Sequence, residues 1–311
     1  MIRSSYIDYI KALAILLVIT YHCHYYDGIL GFSVFLSMCC PLFFAVNGIL
    51  LLNKTRAYDY YLPKMFKILF LILFWGILSN LFSAFLYAGE YSMKSCIADL
   101  FYLRNGYCNH LWFMCTLFIL YSIYPLLSIV TNERKTLITF GIIISCLTLY
   151  GISSVFSNIN PIKGWHSYAL AYALCALIIQ KIDIRNIVLP LLIFLISMGG
   201  EIIFNHYIYG DSVAYSDIIF KGYNSPFIFV GTLSLIKFVS MLNLKPYRLI
   251  TFISRNSLGI YLLHIFMTKY IHFQQYTSTI RFLLPILVLG LSCFACFILN
   301  KNKYTRKLIS L

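Results

Sequence analysis

The chain has 311 residues, of which 61% are hydrophobic and 11% charged, with a formal net charge of +14. A water-soluble domain carries about a quarter charged residues, so this composition excludes one, and a mean hydropathy of +0.83 makes lipid the main solvent. The positive charge does not point to nucleic acid, because in a membrane protein Lys and Arg sort to the cytoplasmic loops.

A bilayer-crossing helix needs about 20 mostly apolar residues. Ten such segments follow in order: residues 7–26, 32–52, 67–87, 111–130, 137–156, 168–182, 187–204, 225–242, 250–270 and 282–300. The sixth is short, and the eighth carries Ser225, Pro226 and Lys237. Residues 96–103 are apolar but too few to cross, and read as an interfacial or re-entrant piece. The expected fold class is all-α, a polytopic membrane protein of about ten transmembrane helices forming a single domain over residues 1–311. Its loops leave no room for a separate soluble domain.

Ten spans put both termini on one side, and the charges say which. Loops on that side hold sixteen Lys and Arg, including Lys54, Arg56, Lys64, Lys67, Arg255 and the tail residues Lys301, Lys303, Arg306 and Lys307. The opposite side holds six (Lys94, Arg104, Lys163, Lys221, Lys269 and Arg281), and Lys11 and Lys237 lie within spans. Both termini are therefore expected in the cytoplasm, with the protein in the inner (plasma) membrane. The first apolar run carries Asp8 and Lys11 and lacks a small-x-small cleavage site, so it reads as a retained helix. No internal repeat suggests an inverted-repeat transporter. The ten Cys show no metal spacing, and no metal is expected. Cys96 and Cys108 share one outer loop, an arrangement compatible with a disulfide in an oxidising compartment.

A charge at mid-bilayer costs roughly 2.5–3.5 kcal/mol on insertion scales, so polar groups within spans need a reason. The first helix holds Asp8, Lys11 and His22. At 100° per residue Asp8 and Lys11 lie about 60° apart, and Lys11 and His22 within about 20° of one stripe, separated by a rise of about 16 Å. Asp8 and Lys11 also make an ordinary i,i+3 pair near a helix end, where lysine snorkels and a carboxylate suits the helix dipole. His22 is harder to assign to packing, since imidazole takes and returns a proton near neutral pH.

The run Tyr6-Ile7-Asp8-Tyr9-Ile10-Lys11, continuing to Tyr21-His22, resembles the opening helix of the membrane acyltransferase-3 family, which shows an Asp, a basic residue, ten residues and a His. The family's basic residue is usually Arg, and here it is Lys11. Pro41-Leu42-Phe43-Phe44-Ala45-Val46-Asn47-Gly48 resembles its Phe-Phe-x-x-Ser-Gly segment, with Asn47 at the Ser position. His110-Leu111-Trp112-Phe113-Met114 and Ser257-Leu258-Gly259-Ile260-Tyr261-Leu262-Leu263-His264 resemble two further helices of the family. The four matches fall in order in spans one, two, four and nine.

The resemblance implies transfer of an acyl group, most often acetyl from acetyl-CoA, onto a hydroxyl of an extracytoplasmic or lipid-linked glycan, in the manner of compact members that modify O-antigen or related surface sugars. It implies that His22 acts as general base or as acyl-carrying nucleophile, with Lys11 contacting the CoA arm or holding Asp8, and Asn47 donating to the developing oxyanion. Lys54, Arg56, Lys64 and Lys67, the densest inner cluster outside the tail, are expected to meet the CoA phosphates, with Arg255 assisting or obeying the positive-inside bias. His110 and Trp112 read as an aromatic belt or, for Trp112, as a sugar-stacking ring. Glu201 reads as a second carboxylate near the acceptor or as a solvated helix end. Tyr261 and His264 are candidate substrate contacts, because an imidazole within a span must find a partner. His24 points away from the His22 stripe, and His166, His206 and His272 lack supporting context. The rival reading is a glycan polymerase, flippase or transporter, for which six outer basic residues are few.

Overall fold

The computed structural model describes residues 4–23, 30–86, 109–130, 133–149, 167–209, 222–270 and 278–311. All regular structure among them is helical: α1 Ser5–His22, α2 Leu30–Leu36, α3 Cys39–Leu51, α4 Tyr58–Leu86, a 3₁₀ turn Asn109–Leu111, α5 Trp112–Val130, α6 Arg134–Thr148, α7 Ser167–Lys181, α8 Val188–Tyr209, α9 Pro226–Met241, α10 Arg248–Arg255, α11 Ser257–Tyr270, α12 Ser278–Asn300 and α13 Lys303–Arg306. Cys96 and Cys108, the 96–103 piece, His24, His166 and His272 lie outside the described residues.

Helices cover most of the described part of each of the ten apolar segments, with breaks at residues 37–38 in the second and at Asn256 in the ninth. Among the described residues, five helical stretches are long and apolar enough to cross a membrane, namely Phe32–Leu51, Tyr58–Phe82, Trp112–Ile129, Val188–Tyr207 and Leu283–Asn300. The bent pair Arg248–Arg255 and Ser257–Thr268 makes a sixth if counted as one span. The ninth segment is thus not one straight helix as expected. The chain breaks at Asn256, whose carbonyl accepts from the Ile260 amide to start α11, and whose side chain accepts from Asn300 Nδ2 at 2.7 Å. Asn at a helix start is a preferred cap, and it restarts the helix inside an otherwise apolar run. The first segment forms the single helix α1, which carries Asp8, Lys11 and His22 among its apolar residues.

The chain divides into two compact units, residues 1–55 with 126–255, and residues 56–125 with 256–311. In the first, α3 packs on α7 so closely that a Cβ on Gly48 would lie 2.0 Å from the Ala173 carbonyl oxygen. The facing α7 residues Ala169, Ala173 and Ala176 are fully buried, a small-residue seam of the kind that lets membrane helices approach. α8 packs on α9, with Met198 against Gly231 and Phe227 against Gly200. α9 is started by Ser225, whose hydroxyl accepts from the Phe227 and Ile228 amides, with Pro226 at the first helical position. Gly222 at φ +87° supplies the left-handed turn that precedes it.

Lys237, the cation expected inside the eighth span, is buried and donates to the Ile182 carbonyl at 2.8 Å, just past the end of α7. A lysine at a helix C-terminus satisfies an orphan carbonyl and complements the dipole, so this charge has a structural reason.

In the second unit Tyr61 of α4 meets Tyr121 and Tyr124 of α5, each at a 6.1 Å centroid distance, and Trp75 and Phe82 flank Phe266 of α11. α8 and α12 leave large apolar side chains exposed, Ile196 at 71% and Phe294 at 62%. In a helix bundle solvated by lipid such faces need no protein cover.

Candidate active site

α1 is unbroken from Ser5 to His22, so the eleven-residue step between Lys11 and His22 is realised on one helix, with Ile15 and Val18 buried between them on the same stripe. Lys11 and His22 are both half-buried. The foot of the helix is anchored by three side chains. Asp8, 4% exposed, accepts from the Ser254 hydroxyl of α10 at 2.6 Å. Tyr6 donates to Gln180 Oε1 at 3.4 Å, and Tyr9 donates to the Lys245 carbonyl at 3.2 Å. His22 occupies the last turn, its ring edge-on to Tyr21.

Asn47 is half-buried and donates from Nδ2 to the Phe43 carbonyl of its own helix at 3.0 Å, so part of its donor capacity is spent locally. Glu201 is 1% exposed and is not a solvated helix end. Its carboxylate accepts from the Ser225 hydroxyl at 2.5 Å and from Asn205 Nδ2 at 3.2 Å. Ser225 therefore joins the start of α9 to the middle of α8, and beside it Tyr172 donates to the Tyr223 carbonyl at 2.9 Å. Lys54 and Arg255, also in this unit, are exposed.

In the other unit the structure brings His110, Tyr261 and His264 together. All three are buried, with ring centroids 5.7 Å apart for His110–Tyr261, 6.2 Å for His110–His264 and 5.7 Å for Tyr261–His264. The Tyr261 hydroxyl donates to the His110 carbonyl, and His264 Nδ1 lies 2.5 Å from the Tyr261 carbonyl. Phe113 closes the group against Tyr261 at 5.2 Å. Trp112, at the start of α5, is half-buried beside Phe113.

Arg56 and Lys64 both lie over the Tyr60 ring, at 4.0 and 4.4 Å from its centroid, a cation–π pairing on a 38% exposed ring. Lys67, expected beside them as a phosphate contact, is turned to the C-terminal tail, where its ammonium donates to the Lys307 carbonyl. Among the described residues no group of three His, Cys, Asp or Glu is placed to hold a metal ion.

Sequence reasoning missed Ser254 and Ser225, the hydroxyls that hold the two buried carboxylates. They sit 246 and 24 residues from Asp8 and Glu201, and no periodicity links such positions. It also missed Trp75, whose indole donates to the Leu308 carbonyl at 2.8 Å.

No curated protein and no solved structure matches the chain significantly. The acyltransferase-3 model, described as an acyltransferase domain, matches residues 4–301 and so runs through both units from α1 to the end of α12. A match over nearly the whole length of an apolar helical chain settles the family that the four short motifs suggest: the protein belongs to the acyltransferase-3 family and is a membrane acyltransferase.

Proposed function

We propose that the protein is an integral-membrane O-acyltransferase of the inner membrane, moving an acetyl group from cytoplasmic acetyl-CoA to a hydroxyl of a cell-surface or lipid-linked glycan on the far side. The observation that carries this reading is the unbroken α1, with a cation near its start and an imidazole in its last turn on one stripe, in a chain whose family transfers acyl groups. In the direct route His22 takes the acceptor hydroxyl proton as the oxygen attacks the thioester carbon. The C–O bond forms, the C–S bond breaks, and the proton passes to the departing thiolate. In the two-step route the His22 nitrogen carries the acyl group between thiol and hydroxyl.

Asp8, fixed by Ser254, holds the foot of the helix so that Lys11 faces the donor arm. Arg56 and Lys64 on Tyr60, with Lys67 of the same unit, supply positive charge for the CoA phosphates. Asn47 faces the developing oxyanion and Glu201 the acceptor, while the buried His110, Tyr261 and His264 rings pack the second unit.

Purified protein in lipid, given labelled acetyl-CoA and an undecaprenyl-linked glycan, should transfer label to the glycan. His22→Ala should abolish that transfer while the protein stays folded. Label transfer at the wild-type rate by His22→Ala refutes the assignment. Movement of unmodified glycan without label transfer would favour a flippase or transporter.

A further inference from the structure

The C-terminal tail does not trail away from the second unit. Asn302 caps α13, its side chain accepting from the Tyr304 amide at 2.8 Å, and Thr305 donates back to the Leu299 carbonyl at 2.5 Å. The segment then runs against α4 and α11. Trp75 donates to the Leu308 carbonyl, Lys67 donates to the Lys307 carbonyl, and Ile309 is 2% exposed. A Cβ on Gly259 would lie 2.9 Å from Ile309 Cβ and 3.2 Å from its carbonyl oxygen. The glycine of the Ser257-Leu258-Gly259-Ile260-Tyr261 run thus has a local reason, since it leaves room for the tail.

This docking has an electrostatic cost. It joins Lys307, through its carbonyl, to the Lys67 ammonium, so two cationic residues share one contact, with Lys64 three residues earlier on the same helix and therefore on the same side. Arg306 and Lys307 themselves stay exposed. An apolar anchor and two backbone carbonyls hold together cations that repel each other, an arrangement that an anion would relieve. Lys67 spends one donor on the tail and keeps two.

We infer that residues 302–311 form a strap that completes a phosphate-binding surface on the second unit, Arg306 and Lys307 joining Lys64 and Lys67 on the phosphates of the acyl-CoA donor. The inference rests on the acyl-CoA reading above and adds the tail to it.

The test uses the full chain in phosphatidylcholine nanodiscs with coenzyme A as the probe, its binding followed by calorimetry. R306Q/K307Q, two exposed positions, should weaken coenzyme A roughly tenfold relative to R134Q/K135Q, which removes the same charge from the first turn of α6. That difference should shrink as salt is raised. I309S, which frees the strap without changing charge, should weaken binding in the same direction. Equal affinities for the two double variants overturn the strap while leaving the donor reading intact. Wild-type protein that binds no coenzyme A overturns the donor reading itself. An R306Q/K307Q protein that binds coenzyme A normally but retains less fluorescent phosphatidylglycerol makes the strap a lipid-headgroup site, and also overturns the proposal.

Discussion

Two histidine sites, one in each unit, carry family-like motifs and have opposite surroundings. His22 stands half-buried in the last turn of α1. His264 is fully buried in a ring cluster with Tyr261, His110 and Phe113, and its Nδ1 is engaged with a backbone carbonyl one turn back. A reacting imidazole has to exchange a proton with a substrate, whereas a packed one has its proton fixed by a neighbour. Membership of similar motifs does not give the two rings similar surroundings: His264 is enclosed and bonded to backbone, while His22 is only half-buried at a helix end.

The sharpest way to break the comparison is to truncate both rings. His22→Ala should lower kcat by about 10²–10⁴-fold, the usual contribution of a positioned acid–base group, with little change in thermal midpoint. His264→Ala should do the reverse, opening a cavity in a packed cluster at a cost of about 2–3 kcal/mol, with kcat per folded molecule nearly preserved. Acetyl transfer and scanning calorimetry on the same preparations read both outcomes. If His264→Ala removes activity without lowering the midpoint, the two sites belong to one machine and the contrast fails.

A second, smaller effect separates the units by their polar anchors. Tyr261→Phe deletes a hydroxyl that donates to the His110 carbonyl and should lower stability by about 1–2 kcal/mol, visible as a lower midpoint with unchanged KM for either substrate. Glu201→Gln, in the first unit, should shift the acceptor KM about fivefold with the midpoint nearly constant, because the amide still accepts from Ser225 and Asn205 can reverse its own amide. A lowered midpoint with unchanged KM would place Glu201 in the same class as His264.

The helices were legible because apolar runs of span length have one outcome in lipid. The foot of α1 was legible too, since Asp8, Lys11 and His22 violate the apolar rule within a single helix. Other features depended on the chain returning to itself. The break at Asn256 is invisible to a hydropathy window, because apolar residues continue on both sides of it. The Lys237 contact with the Ile182 carbonyl spans 55 residues. Ile309 lies hidden in a basic tail, where the charge pattern alone reads as a solvated end. From sequence Glu201 reads as an acceptor-side carboxylate or a solvated helix end, because its partner Ser225 reads as a weak point in the eighth span rather than as the cap that starts α9.

The smallest expected effect concerns Lys11, where the chain departs from the family's usual Arg. Arg and Lys differ in geometry more than in charge: the guanidinium offers a planar fork suited to two parallel bonds with phosphate, and the ammonium a compact point charge. Lys11 sits one turn above Asp8, whose carboxylate is already engaged by Ser254, on a stripe whose next members Ile15 and Val18 are buried. A group so placed steers an anionic arm by charge and has little room for a forked contact. Lys11→Arg should therefore change kcat/KM for acetyl-CoA by no more than about threefold, less than the penalty expected where a fork is required, whereas Lys11→Gln should weaken the donor without altering the acceptor KM. A large gain or loss in Lys11→Arg would mean that geometry at this position matters, and would make Lys11 a forked contact to the donor rather than a point charge.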